Sequence, residues 1–231
     1  MPYKKNKNYF LKHKVRKDQL VFVPHAVDNK RFFQTAAKEE DKKAGIRSSL
    51  KIKEDDLILL YAGKLEPKKN AGILIKAFQL LDNDNIHLVI VGNGILENEL
   101  KQSASKTINI HFFPFQNQSK LPAFYQLCDV FILPSKGPGE SWGLAVNEAM
   151  ACGRPVLVSD KCGCAVDLVE AGQTGYVFRS NDINDLTEKI SWMLEHKDEL
   201  KEMGTNAFQK IQDWSFEHIA EAIEELVINK C

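Results

Sequence analysis

In the stretch GPGESWGLAVNEAM, residues 137–150, two glutamates frame a turn: Glu140 precedes a Ser-Trp-Gly segment, and Glu148 lies in the apolar run beyond it. The stretch follows VFIL and Pro134, so it reads as a loop leaving a strand and the helix that succeeds it. Gly137 and Gly139 loosen the loop, and Ser141 has the chemistry of an N-cap. The N–H groups of Trp142, Gly143 and Leu144 then open the helix LAVNEAMAC, and such a terminus suits a phosphate. Glu148 falls four residues after Leu144, one turn deeper on the same face, where a carboxylate can accept hydrogen bonds from a ribose diol. Glu140 looks into the cleft, where it could bind sugar hydroxyls or offset positive charge at an anomeric carbon. Taken separately, either carboxylate could equally be a cap or a surface group.

Two other strand-to-helix junctions carry usable chemistry. After LILLYA (57–62) comes GKLEPKKN: Gly63 permits a tight turn, and Lys64 and Lys69 lie five apart, so both ammonium groups could converge on a diphosphate or simply decorate an exposed turn. After IHLVIV (86–91) comes GNGILENEL, which begins like a Gly-rich dinucleotide turn. Glu97 takes the place of the third glycine, so the fingerprint fails and a nicotinamide enzyme is disfavoured. Gly92, Asn93 and Gly94 could still bring backbone close to a base or ribose, or form a plain turn.

The elements that must position these residues alternate. Seven β-rich runs, LVFV (20–23), LILLYA (57–62), IHLVIV (86–91), INIHFF (108–113), DVFILP (129–134), PVLVS (155–159) and GYVF (175–178), are each followed by a helical pattern. Several lack period-2 alternation, as strands covered on both faces do, which predicts an α/β, doubly wound, Rossmann-like parallel sheet. Helices are expected over 70–81 and 116–127, and three more close the chain over about 183–196, 198–212 and 216–228, the last capped near Ser215 and His218. In such a sheet ligands sit outside the carboxyl ends of the strands, where the three junctions fall.

Composition bounds the rest. At 231 residues with 44% apolar residues the chain can build a real core, and 31 basic residues balance 31 acidic ones, so no global field favours nucleic acid. The apolar runs are far shorter than a membrane span and the start lacks an apolar signal core, so a soluble, cytoplasmic protein is expected. Five cysteines, an odd number, argue for reduced thiols; Cys162 and Cys164 have no second pair at finger-like spacing, and no metal site is expected. The first 17 residues hold seven lysines and arginines before Asp18, with Tyr9, Phe10, Leu11 and Val15 interleaved. They read either as a basic segment for an anionic surface, giving peripheral membrane contact, or as a solvated tail or the remnant of a preceding domain.

Glu140 and Glu148 with SWGLAVN between them resemble the E-x7-E motif of retaining GT-B glycosyltransferases, particularly family 4, and EAMACGRPVLVSD (148–160) is similar to the phrase that follows it there. GKLEPKKN, VPHAVDNKRF (23–32) and GCAVDLVEAGQTGYVF (163–178) resemble further family blocks in order, so the likeness runs from about Val21 onward. The resemblance implies one half of a GT-B fold: a nucleotide-sugar-binding domain over residues 20–231, with residues 1–19 as the tail and linker of an N-terminal domain. That domain would carry the acceptor site, for a saccharide or a lipid-linked acceptor, so the chain is expected to be a fragment or truncated product with weak activity alone. It further implies that Lys64, Lys69 and the backbone near Gly143 and Leu144 hold the diphosphate of a UDP- or GDP-linked sugar and that Glu148 holds the ribose. Glu140 would contact the transferred sugar, and Gly92 to Gly94 with Phe115 and Gln116 would frame the base. No metal or other cofactor is implied. Departures are Lys64 for the usual Arg, His25 and Ala26 for Asn-Gly, Asn70 for a glycine, and Asp167 for a glutamate in a block one residue longer. Other classes compatible with these blocks are a sugar-nucleotide epimerase, a pyridoxal-dependent phosphorylase and a non-catalytic nucleotide-sugar-binding module.

Overall fold

A computed structural model of the chain describes residues 4–37, 40–137 and 140–228. Helix α1 (Lys4–Lys12) and a 3-10 turn (Lys17–Gln19) lead through an extended segment into α2 (Asn29–Ala37) and α3 (Glu40–Ser49). An alternating array follows: β1 (Leu57–Ala62), α4 (Ala71–Leu81), β2 (Ile86–Val91), α5 (Glu97–Ser103), β3 (Ile110–Phe113), α6 (Leu121–Leu127), β4 (Val130–Leu133), α7 (Leu144–Ala151), β5 (Val156–Ser159), α8 (Ala165–Leu168) and β6 (Gly175–Phe178). Helices α9 (Ile183–Glu195), α10 (Lys197–Ile211) and α11 (Phe216–Ile228) close it.

The six strands form one parallel sheet in the order β3-β2-β1-β4-β5-β6. This is the expected α/β Rossmann-like architecture. β2, β4 and β5 are buried throughout, which is why their sequences are continuous apolar runs rather than alternating ones. Right-handed crossovers that move outward from β1 in one direction and from β4 in the other put their helices on opposite faces. α4 packs with α5 and α9, whereas α6 and α7 pack with α2, α3 and α10. The order reverses between β1 and β4, so the loops leaving those two strands diverge and open a crevice over their carboxyl ends.

Three expectations need correction. LVFV (20–23) is not a strand: no ladder partner is present among the described residues, and the segment packs instead, with Phe22 edge-on to Trp214 at 6.0 Å and near His218 at 6.3 Å. The helix expected over 116–127 starts only at Leu121, because Asn117 folds the preceding residues into a turn that accepts from the amides of Lys120 and Leu121. Helices α1, α2, α3 and α8 were not expected. For α2 a signal existed, since Asp28 Oδ1 accepts from the amide of Arg31 at 2.9 Å as a capping carboxylate does. The basic start is helical, and its first described amide, that of Lys4, donates to Asp167 at 3.3 and 3.4 Å. Cys128, Cys152, Cys162 and Cys164 are buried free thiols, and burial pushes Cys128 up to about 12 and Cys162 to about 11.

On the β3 side, a polar chain ties the sheet to the loop before β1. His87 Nε2 lies 3.2 Å from Asp56 Oδ2 and His87 Nδ1 lies 3.0 Å from His111 Nε2. A donor order His111 to His87 to Asp56 satisfies all three with both rings neutral. Burial lowers both histidines, His111 to about 4 with the neighbouring His87 adding to the effect; Asp56 pulls His87 back up. A histidine lowered in the folded state binds fewer protons than in the unfolded state, so its contribution is intact above the ordinary value near 6.5 and is lost as pH falls toward about 4. Denaturant titrations from about pH 7 down to about 4.5 should therefore show a loss of roughly 1–2 kcal/mol from this pair. His111→Gln, which keeps a donor but cannot titrate, should remove about half of that slope.

Candidate functional site

The crevice is built by backbone before side chains enter it. The loops after β1 and β2 are zipped together: the amide of Gly63 donates to Val91 O at 3.0 Å, that of Leu65 to Asn93 O at 2.9 Å and that of Leu96 to Leu65 O at 3.0 Å. This approach needs glycine. Gly92 sits at φ 144°, and a Cβ there would lie 2.0 Å from Gly63 O; one on Gly94 would lie 2.4 Å from Leu65 O. Tyr61, fully buried at the end of β1, fixes the loop by donating to Lys64 O at 2.7 Å.

A cavity of about 210 Å³ opens above these loops, lined by Gly63, Lys64, Gly92, Asn93, Phe115, Gln116, Tyr125 and Glu148 among others. It joins residues from the ends of β1, β2 and β3 with α6 and α7. Lys64 and Phe115 are exposed at its mouth, and Glu148 is buried in its wall, donated to by Tyr125 Oη at 2.7 Å. Burial pushes the Glu148 carboxyl up, while the Tyr125 hydrogen bond and the Arg31 guanidinium act against that rise. Of the predicted residues, Gly63, Lys64, Gly92, Asn93, Phe115, Gln116 and Glu148 are thus brought together in one cavity.

The others fall nearby or elsewhere. Lys69 does not line this cavity; its ammonium pairs with Glu140, whose Oε2 also accepts from Ser135 Oγ at 2.9 Å. Glu140 is thus held by a cation from the β1 loop and a hydroxyl from the β4 loop. Ser135 is fully buried, and its carbonyl accepts from Ser159 Oγ at the end of β5. Gly94 serves the turn rather than the wall. Ser141 is not the N-cap: that position is Gly143, at φ 105°, where only glycine fits without strain, since a Cβ would also meet Leu133 at 2.9 Å. Trp142 is buried, with Nε1 donating to Asn147 Oδ1 at 2.7 Å, and Leu144 is half exposed at the first turn. Gly139 lies outside the described residues.

Two residues at the site were missed from sequence. Tyr125 was read as part of the apolar face of α6; a buried tyrosine needs a partner for its hydroxyl, and that was the available signal. Ser135 had only its place directly after the proline that ends the strand run.

A parallel sheet with glycine-lined loops, a cation and a buried carboxylate around one strand-end crevice defines a Rossmann-like α/β domain whose crevice lies where such sheets take their ligands. The family model for glycosyl transferases group 1 matches residues 42–210, and the chain belongs to that family. It is 29% identical over 191 residues to a D-inositol 3-phosphate glycosyltransferase of Gordonia bronchialis, an alignment covering 77% of this chain and 41% of that one. Among solved structures, HepE of Anabaena in complex with UDP and glucose superposes with a TM-score of 0.79 at 21% identity, covering 96% of this chain and 60% of that one. The C-terminal domain of a glycosyl transferase group 1 family protein, LpcC of Francisella tularensis, superposes with a TM-score of 0.69 at 18% identity, covering 83% of this chain and all of that domain. The chain spans about half or less of the length of the curated relatives it matches. No helix among the described residues is long and apolar enough to cross a membrane.

Breaking the Lys69–Glu140 pair from one side strands a mostly buried charge, whereas replacing both partners does not. Lys69→Met and Glu140→Gln should each cost about 2–3 kcal/mol in chemical denaturation. The double variant should cost less than their sum by at least about 1 kcal/mol; strict additivity would show that the two side chains do not interact.

Proposed function

We propose that the chain is the C-terminal, donor-binding half of a retaining glycosyltransferase of family 4, which moves a sugar from a nucleoside diphosphate to an acceptor held by an N-terminal half. The observation that carries this is the cavity joining Lys64, Glu148 and the turn residues Gly92 and Asn93 in a chain of the group 1 family. Lys64 meets the diphosphate at the mouth, where an ammonium can follow a mobile anion. The Gly92 to Gly94 backbone lets base and ribose approach closely, Phe115 and Gln116 border the base, and Glu148 accepts from the ribose.

Lys69 and Glu140 take part as a pair. With no donor present each neutralises the other; a diphosphate entering beside Lys64 competes for the Lys69 ammonium, which leaves the Glu140 carboxylate for the sugar hydroxyls. Gly143 and Leu144 supply amides at the start of α7. The charge handling rests on side chains and a helix terminus, and no cofactor is proposed. A UDP-linked donor is favoured by the likeness to HepE, whose structure holds UDP and glucose. The expected setting is the cytoplasm, with a saccharide or lipid-linked acceptor, and the isolated half is expected to bind donor but transfer slowly.

Calorimetric titration of the chain with UDP, GDP and ADP tests this directly. One of them should bind with a dissociation constant of roughly 0.01–1 mM, and Lys64→Ala should weaken it about tenfold. Absence of binding by all three would overturn the proposal.

A further inference from the structure

We propose that Tyr125 is a positioning residue for the donor site: its hydroxyl occupies one oxygen of Glu148 and leaves the carboxylate oriented to accept from the ribose diol of a bound nucleoside diphosphate. This deepens the donor-site reading and rests on it. The two side chains come from different helices, α6 and α7, and meet in the wall of the same cavity, with Tyr125 Oη 2.7 Å from Glu148 Oε2.

The hydroxyl is held from behind. Tyr125 is fully buried, and its ring is clamped edge-on by Phe32 of α2 at 6.2 Å and by Phe131 of β4 at 5.5 Å. Burying this much aromatic surface needs no hydroxyl, so a phenylalanine would serve packing alone. Tyr61 shows the contrast within the same fold: its hydroxyl donates to a backbone carbonyl and so fixes a loop, whereas that of Tyr125 donates to a cavity carboxylate.

The electrostatics favour the same role. A buried carboxyl drifts toward its neutral form, and a neutral acid is a poor acceptor for two neighbouring hydroxyls. The groups facing Glu148 are the Tyr125 phenol from α6, the Arg31 guanidinium from α2, the Cys152 thiol at the end of its own helix and Lys64 across the cavity. Of these, Tyr125 is the one that donates a hydrogen bond directly to the carboxylate. The phenol opposes that drift, and the second oxygen of the carboxyl remains for the ligand.

The test compares UDP, or GDP or ADP if that is the one bound, with its 2′,3′-dideoxy analogue on the wild-type chain and on Tyr125→Phe, Glu148→Gln and Phe131→Leu. Wild type should prefer the diol by at least about tenfold, and Glu148→Gln and Tyr125→Phe should reduce that preference to about threefold, with affinity for the dideoxy analogue little changed. Phe131→Leu, which loosens the clamp and keeps the hydroxyl, should fall between, and it decides the matter if Tyr125→Phe does not fold. Binding should weaken on acidification as Glu148 protonates, and in Tyr125→Phe the midpoint should move to higher pH, because the phenol that opposes protonation is gone. An unchanged preference and an unchanged midpoint in the folded variants would overturn the positioning role while leaving donor binding intact. A wild-type chain that binds none of the nucleotides would overturn the donor-site reading itself, and one that binds without diol preference would remove Glu148 and Tyr125 from the ribose.

Discussion

The reversal of strand order between β1 and β4 is the constraint on which the site depends. Strands fully buried on both faces must be covered by helices on both, and right-handed crossovers put those helices on opposite faces only if the chain winds outward in two directions from one point. At that point neither flanking loop can close over the other, and a crevice remains above the carboxyl ends of two adjacent strands. Chemistry placed in the loops after β1 and β4 therefore converges without any further design of the backbone. The loop after β2 is drawn in because Gly92 and Gly94 lack the Cβ atoms that would hold it off.

Within the crevice the charged groups are arranged in pairs, each costly to break from one side. Lys69 and Glu140 neutralise each other across the divide, and Glu148 is held by a phenol from a neighbouring helix. The Tyr125 hydrogen bond opposes the rise that burial imposes on the Glu148 carboxyl. On the donor-site reading proposed above, an anionic ligand exchanges with an existing charge partner rather than entering an unscreened cationic patch. This accounts for Lys64 being the exposed cation at the cavity mouth while Lys69 is largely covered. A point charge on a flexible stem suits this exposed mouth, and the bidentate geometry of a guanidinium is given up.

Much of the fold was legible because strands of a doubly wound sheet are encoded locally. LILLYA and IHLVIV became strands over the residues expected, since a short apolar run between turn residues has few other ways to be buried on both faces. LVFV had the same composition and failed, because the described sheet ends at β3 and β6 and Phe22 found a partner in Trp214 instead. The glycine turns and the helix carrying Glu148 were equally readable from φ requirements and spacing. Ser141 misled because a serine before a helix is a cap only if the chain enters there, and the chain enters through Gly143, whose left-handed φ of 105° and lack of space for a Cβ suit glycine.

The amino-acid sequence by itself determined the six strands that form and the residues at their carboxyl ends, since these follow from a few neighbouring side chains and their dihedral limits; that LVFV would not join them was decided by the tertiary structure. Tertiary structure alone decided which of those residues meet. Lys69 and Glu140 are 71 positions apart, and Tyr125 and Glu148 are separated by 23; His87 and His111 are 24 apart on adjacent strands. Their pairings arise from sheet order and helix packing, which are settled by the burial of the whole core and leave no trace in the local pattern.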